Sequence, residues 1–212
     1  MSESHAVVEE FVRNACLAGD FKAAASHAFE AHGPEILSFL HAHVRSHTVA
    51  HYVFSMFAED LWRGLPSFAF RSSLRAWLYT LARNAATRHA LAAHNRRGRH
   101  IALTAPFLEA LVARTRTATE LHLRSEMKSK VRALRDRLSP EDQTLLVLHV
   151  DRGLAWRELA MVLHEGAGTL EGEARTREAA RVRKRFERLK ARLRELARAE
   201  GLAPNAEAGR DD

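Results

Sequence analysis

The sequence predicts an all-α protein. Glycine and proline usually interrupt regular elements, and the chain has four long stretches without either, at 35–63, 67–97, 107–139 and 173–200. Strands rarely run for so many residues, whereas helices and helix pairs do. The chain also lacks segments in which Val, Ile and Thr alternate at the period of a strand.

The composition narrows the class of protein. The chain has 212 residues and a net charge of +7, and such an excess of positive charge favours an anionic partner. Its single cysteine, Cys16, excludes a disulfide framework and any cysteine-rich zinc site. Acidic residues near the N-terminus stand where a signal peptide would be basic, and no apolar run is long enough to cross a bilayer. We therefore expect a cytoplasmic protein without membrane insertion.

In the first half of the chain, residue spacing predicts amphipathic helices. Residues 45–48 are interpreted as a turn between two helices. Residues 71–99 contain seven arginines and no acidic residue, so we expect a strongly basic helix there. Apolar residues within it recur at steps of three and four, which places them on one helix face. These residues are Leu74, Leu78, Leu81 and Ala85.

The second half predicts three helices in succession. Ser139 and Pro140 indicate a helix start, because serine is a favoured N-cap and proline is favoured at the first helical position. Gly153 should end that helix, and a second should cover 155–163. After a segment rich in glycine and glutamate, residues 175–198 form a predicted helix with a net charge of +8. This order is typical of a helix-turn-helix DNA-binding domain.

The predicted helix 175–198 has one apolar stripe and one basic side. Val182, Phe186 and Leu189 mark the stripe. At about 100° per residue, basic side chains lie opposite the stripe or at its edge, where they can reach base edges and phosphates in a major groove. A solvated basic surface is the alternative interpretation. The candidate DNA-binding residues of this helix are Arg177, Arg181, Lys184, Arg185 and Arg188.

Two segments of the chain carry a resemblance to a known family. Residues 61–84 contain LWRGLPSF, SSLRAWLY and LARN, and they resemble region 2 of bacterial RNA polymerase sigma factors of the extracytoplasmic-function (ECF) type. Residues 138–160 contain LSPED and GLAWRELA, and they resemble region 4 of the same family. The chain departs from the family at 49–56, where the usual acidic residues are absent and Glu59 and Asp60 come one turn later.

The resemblance implies a promoter-specificity subunit rather than an enzyme. Such a subunit binds core RNA polymerase and promoter DNA, and directs initiation by recognising the −10 and −35 elements. An anti-sigma factor is a further candidate partner. The implied organisation is an N-terminal helical extension at 1–28, a region 2-like bundle at 29–95, a linker at 96–127, a region 4-like helix-turn-helix domain at 128–200 and a disordered tail at 201–212.

The resemblance also implies site residues in the first half of the chain. A loop and the helix after it would read the −10 element and hold an unstacked base, with packing of Phe70 against Phe68 as the alternative interpretation of Phe70. These candidates are Phe70, Arg71, Ser72, Arg75, Arg83, Asn84 and Arg88. The preceding helix would bind polymerase through Phe54, Met56, Glu59 and Asp60.

No catalytic or cofactor motif stands out in the sequence. There is no P-loop, no G-x-S-x-G and no H-E-x-x-H, so we expect neither a cofactor nor a metal. The histidines at 41, 43, 47 and 51 include steps of four, but a turn at 45–48 would break that register. Two other functions stay open: a helix-turn-helix regulator that acts without polymerase, and a helical adaptor for an acidic protein partner.

The segment 165–175 is the largest departure from region 4 of the family. It holds Glu165, Glu171 and Glu173 directly before the basic helix. We interpret it as a solvated spacer between two helices. The alternative is an acidic loop that folds back on Arg177 or Arg181 and competes with phosphates.

Overall fold

The computed structural model describes residues 5–44, 46–93, 106–123, 134–164 and 170–200. Helices dominate these segments and no strand occurs in them, which confirms the all-α prediction. The chain divides into two compact units. The first unit contains the helices between residues 5 and 123 together with Met161–Leu163, and the second contains the other helical residues between 134 and 200.

The first unit is built around one long central helix. Its helices are α1 (His5–Leu17), α2 (Phe21–Val44), α3 (His47–Gly64), α4 (Leu74–Ala93) and α5 (Pro106–Leu123), with a 3₁₀ turn at Leu65–Ser67 after α3. All four other helices pack against α2.

The N-terminal helix is part of this packing. Val8 and Val12 of α1 are buried, and the Glu9 carboxylate accepts a hydrogen bond of 3.0 Å from the Leu74 backbone N–H at the start of α4. The sequence places residues 1–28 in an extension, whereas α1 contributes to the core because its apolar side covers α2.

Helix α5 also differs from the expectation for residues 96–127. The sequence places a linker there, but α5 packs against α2 and α3, and its Leu108 and Val112 are buried. Glycine at position 33 permits the approach, since a Cβ there would lie 3.0 Å from the Thr115 side chain. The Arg116 guanidinium donates hydrogen bonds of 2.6 Å to the His51 carbonyl oxygen and 2.7 Å to Ser55 Oγ of α3. This part of the range therefore belongs to the first unit.

A partly buried ion pair joins α2 to α4. The Arg75 guanidinium donates to both oxygens of the Glu35 carboxylate, at 2.8 to 3.3 Å, and the His32 ring lies 2.8 Å from the same group. Burial alone would raise the pKa of Glu35, but the hydrogen bonds with His32 and Arg75 and the positive charge of Arg75 outweigh it. Together they lower the pKa to about 2.

The Glu35 carboxylate makes the free energy of unfolding depend on pH in the acidic range. A carboxyl whose pKa is lower in the folded state stabilises the fold above its ordinary pKa of 4.5, and the contribution is lost as the pH falls toward about 2. At pH 7 we expect Glu35→Gln to lower the free energy of unfolding by up to about 3 kcal/mol. Urea unfolding from pH 7 to pH 3 should show the gap to wild type narrowing below the ordinary pKa. A gap that stays constant over this range would contradict the assignment.

The second unit follows the order that the sequence predicts. Its helices are α6 (Pro140–Leu146), α7 (Trp156–Leu163) and α8 (Gly172–Ala199), and α6 continues as a π-helical segment at Val147–Asp151. The Ser139 hydroxyl accepts a hydrogen bond from the Asp142 N–H, which confirms Ser139 as an N-cap. Gly153 has a φ of +67°, a conformation suited to glycine, and its N–H donates to the His149 carbonyl. The predicted end of the helix at Gly153 is therefore confirmed.

Helix α8 begins earlier than expected. It starts at Gly172, with Glu171 as its N-cap residue and Glu173 in its first turn. The last four residues of the segment 165–175 are thus helical, and Glu165 lies outside the described residues. Acidic residues in a first turn favour a helix start because they interact with the helix dipole.

None of the described helices is both long and apolar enough to span a bilayer.

Candidate nucleic-acid interface

Helix α8 presents separate apolar and basic sides. Ala179, Val182, Phe186 and Leu189 are buried, which confirms the predicted apolar stripe. The side chains that occupy the opposite side and are exposed to solvent are Arg177, Arg181, Lys184 and Arg188.

Three aromatic rings anchor α8 on its unit. The Phe186 ring lies 4.8 Å from the His149 ring and 5.5 Å from the Trp156 ring, measured between centroids. The His149 and Trp156 rings are 3.8 Å apart. The rings come from the π-helical segment, the first residue of α7 and the middle of α8, so their contact sets how the basic side of α8 is turned outward.

Arg185 has a different environment from its neighbours on α8. Its Nε donates a hydrogen bond of 2.8 Å to the Asp142 carboxylate, and a guanidinium nitrogen lies 3.7 Å from the Glu141 carboxylate. Both acidic residues belong to the first turn of α6. The sequence groups Arg185 with the DNA-binding residues, whereas this geometry gives it a role in holding α8 against α6.

Arg181 is only weakly engaged. Its guanidinium lies 3.3 Å from the Glu178 carboxylate one turn earlier, and the Arg181 side chain is 81% exposed. An exposed pair of this kind contributes about 0–1 kcal/mol. A phosphate group can therefore displace Glu178 at little cost.

An open groove lies where the first turns of α7 and α8 meet. Its volume is about 560 Å³, and it is lined by Arg157, Gly172, Glu173, Arg175, Thr176 and Arg177. Three of these six residues are cationic and one, Glu173, is anionic, so the net positive charge of the lining suits an anionic group. Arg157 was not among the sequence-based candidates. Its position two residues after the Ala155 N-cap, in the first turn of α7, is the signal that could have pointed to it, because helix N-termini favour phosphates.

The loop before α4 holds Phe70 in an unusual conformation. Its φ is +52°, a left-handed value that is rare outside glycine. The Phe70 ring lies 4.4 Å from the Phe68 ring, and the Arg13 guanidinium of α1 lies 4.7 Å from its centroid. Residues held in such conformations are concentrated at functional sites. Beside it, Arg71 is exposed, and Ser72 is half-buried with its hydroxyl donating to the Ser73 carbonyl.

The shape of this loop depends on a close contact at Gly64. Trp77 stacks on Phe68 with their centroids 4.2 Å apart, and a Cβ at position 64 would lie 2.9 Å from Trp77 Cζ2. Because the stacked ring has little room to move, we expect Gly64→Ala to cost about 1–3 kcal/mol in unfolding free energy, despite the better helix propensity of alanine. Chemical denaturation measures this, and a variant as stable as wild type would show that Trp77 moves freely.

The candidate residues of α4 fall into two groups. Arg75 pairs with Glu35, and its side chain is 16% exposed. Arg88 pairs with Asp60 of α3 and is half-exposed. Arg83 is half-buried, whereas Asn84 is exposed. Helix α4 therefore offers Asn84 and part of Arg88 to a ligand, while Arg75 holds α4 to α2.

The residues that the resemblance assigns to polymerase are mostly enclosed. Phe54 is fully buried and packs with Phe57 at a centroid distance of 5.5 Å. Glu59 is 5% exposed, Asp60 pairs with Arg88, and Met56 is half-buried. A side chain without solvent exposure cannot contact a partner, so Phe54 is a core residue here.

Comparison with known proteins gives no relative. No family model, no curated protein and no solved structure matches this chain. The observations define a class: an all-α protein with three successive helices in its second unit and an exposed basic side on the last of them.

Proposed function

We propose that the protein is a promoter-specificity subunit that binds core RNA polymerase and directs initiation at promoters. The observation that carries the proposal is the row of Arg177, Arg181, Lys184 and Arg188 on the outer side of α8. Cationic side chains one turn apart on an exposed helix suit the major groove of DNA. In this proposal α8 reads the −35 element, and Arg157 at the groove beside it binds a backbone phosphate.

The first unit would supply recognition of the −10 element. Phe70 in its left-handed conformation, exposed Arg71 and exposed Asn84 offer an aromatic ring, a cation and an amide. Stacking on an aromatic ring together with hydrogen bonds to a base edge is a common way to hold an unstacked base. Arg88 would first have to leave Asp60, and its half-exposed position makes that exchange inexpensive.

A regulator that binds DNA without polymerase is the second candidate function. The enclosed state of Phe54 and Glu59 and the pairing of Asp60 favour it, because they reduce the surface of α3 that polymerase could contact. Both functions use the same basic side of α8. They differ only in whether polymerase is a partner.

One experiment separates these functions. The full chain is added to bacterial core RNA polymerase on a library of promoter fragments, and the transcripts are sequenced. A promoter-specificity subunit should produce transcripts with shared −10 and −35 sequences that are absent without the chain. DNA footprints without polymerase capture or transcription would instead identify a regulator. Absence of any DNA footprint would leave the adaptor for an acidic protein and overturn both DNA-binding functions.

A further inference from the structure

The turn between α2 and α3 brings three histidines together. His41 lies in the last turn of α2, His47 is the first residue of α3, and His51 follows one helical turn later. The sequence predicts a turn at 45–48, but α3 begins at His47, so the break between the helices separates His41 from His47 and leaves His47 and His51 four residues apart on one helix. The same turn folds α3 back beside α2, so that the three imidazoles converge from two helices.

The three rings are close enough to share one ion. One ring nitrogen from each histidine can be chosen such that all three lie within 4.8 Å of one another. Three nitrogens bound to a tetrahedral zinc ion at 2.0–2.1 Å would be about 3.3 Å apart. Side-chain rotations that shorten the distances between the three nitrogens by about 1–1.5 Å would therefore let them bind one zinc ion. His47 and His51 are four residues apart on α3, a spacing that places two imidazoles on one side of a helix.

His41 supplies a second, independent observation. Its Nε2 is buried and makes no hydrogen bond within the part of the chain that the structure describes. A buried polar nitrogen without a partner is costly. Its neighbours are the His47 ring at 4.2 Å and the His51 ring at 5.2 Å, measured between centroids. A metal ion at the centre of the three rings would satisfy this nitrogen.

We propose that His41, His47 and His51 form a binding site for a divalent transition-metal ion, and that zinc is the ion they suit best. Three histidines with an open fourth position for water are a common donor set for Zn²⁺. The bound ion would cross-link the end of α2 to the start of α3 and so stabilise the first unit. Arg116 donates to the His51 carbonyl oxygen beside the site, and its positive charge should make binding weaker than in a four-ligand structural zinc site.

Zinc binding can be measured on the full chain prepared without a histidine tag. Isothermal titration calorimetry with Zn²⁺ should give one tight site per chain, and Co²⁺ should give the visible absorption of a four-coordinate ion. In His47→Gln/His51→Gln, which leaves the buried His41 in place, the affinity should fall at least about tenfold and the absorption should disappear. Zinc should also raise the melting temperature of the wild type and not that of the double variant.

A matched control distinguishes this site from adventitious binding by other histidines. His43 lies on α2 between His41 and the turn, its ring stacks on Phe39, and it is not one of the three clustered histidines. His43→Gln should bind zinc as wild type does. Equal zinc affinity in wild type and the double variant, or an equal loss in His43→Gln, would overturn the proposal. The test uses no DNA and no polymerase, so its result is independent of the proposed function.

Discussion

Replacing Lys184 and Arg188 together by alanine is expected to abolish sequence-specific DNA binding. Both side chains are exposed on the outer side of α8, opposite the buried Val182 and Phe186. Each residue that contacts a base should cost about 1–3 kcal/mol and relax specificity at its position. Each one that contacts a phosphate should reduce the slope of log affinity against log salt by about 1. Fluorescence anisotropy with a selected promoter fragment at several salt concentrations measures both effects.

The matched control for this variant removes the same charge from another side of the same helix. Arg183 and Arg194 are exposed on α8, about 110° around the axis from Lys184 and Arg188. Arg183→Ala/Arg194→Ala should weaken binding slightly through the loss of net charge and leave specificity unchanged. If both double variants lose affinity and specificity equally, DNA is held by overall charge and not by the outer side of α8.

Phe54→Ala is expected to destabilise the first unit strongly. Phe54 is fully buried, with its ring 5.8 Å from Phe29 and 5.5 Å from Phe57 between centroids. Removing a buried aromatic ring leaves a cavity and typically costs about 3–5 kcal/mol. Urea unfolding should show this loss, and the protein should remain folded only at low temperature or low denaturant concentration.

A conservative change distinguishes a core role from a role in polymerase binding. Phe54→Leu keeps most of the apolar volume, so the protein should stay folded with a smaller loss of stability. If Phe54 acts only in the core, Phe54→Leu and the wild type should have the same affinity for polymerase. Unaltered stability of Phe54→Ala would instead place the ring at the surface and return it to the set of partner-binding residues.

Long-range ion pairs separate the candidate arginines in a way that sequence could not reveal. Arg75 pairs with Glu35, Arg88 with Asp60 and Arg185 with Asp142. The partners are 40, 28 and 43 residues apart in the chain. Helical spacing shows which arginines share a face, but it contains no information on acidic residues of other helices. For this reason the sequence grouped Arg185 with Lys184 and Arg188, although its charge is directed at α6.

The sequence alone determined both ends of α6 with its π-helical continuation, and the apolar stripe of α8, because these features depend on interactions between residues close together in the chain. Ser139 caps a helix through a bond to a backbone N–H three residues away, Gly153 ends one by adopting a positive φ, and the period of a helix places Val182 and Phe186 on one side. Each of these preferences acts within a few residues.

Tertiary structure alone decided the features that join distant segments. Helix α5 occupies a range that the sequence assigned to a linker, because Leu108 and Val112 gain burial only against α2 and α3. The histidines at 41, 47 and 51 form a cluster only because the turn between α2 and α3 sets the helices side by side. The spacing of residues along one helix describes one surface at a time. Which surfaces meet depends on how whole helices pack against one another. The spacing of residues along one helix carries no information about that packing.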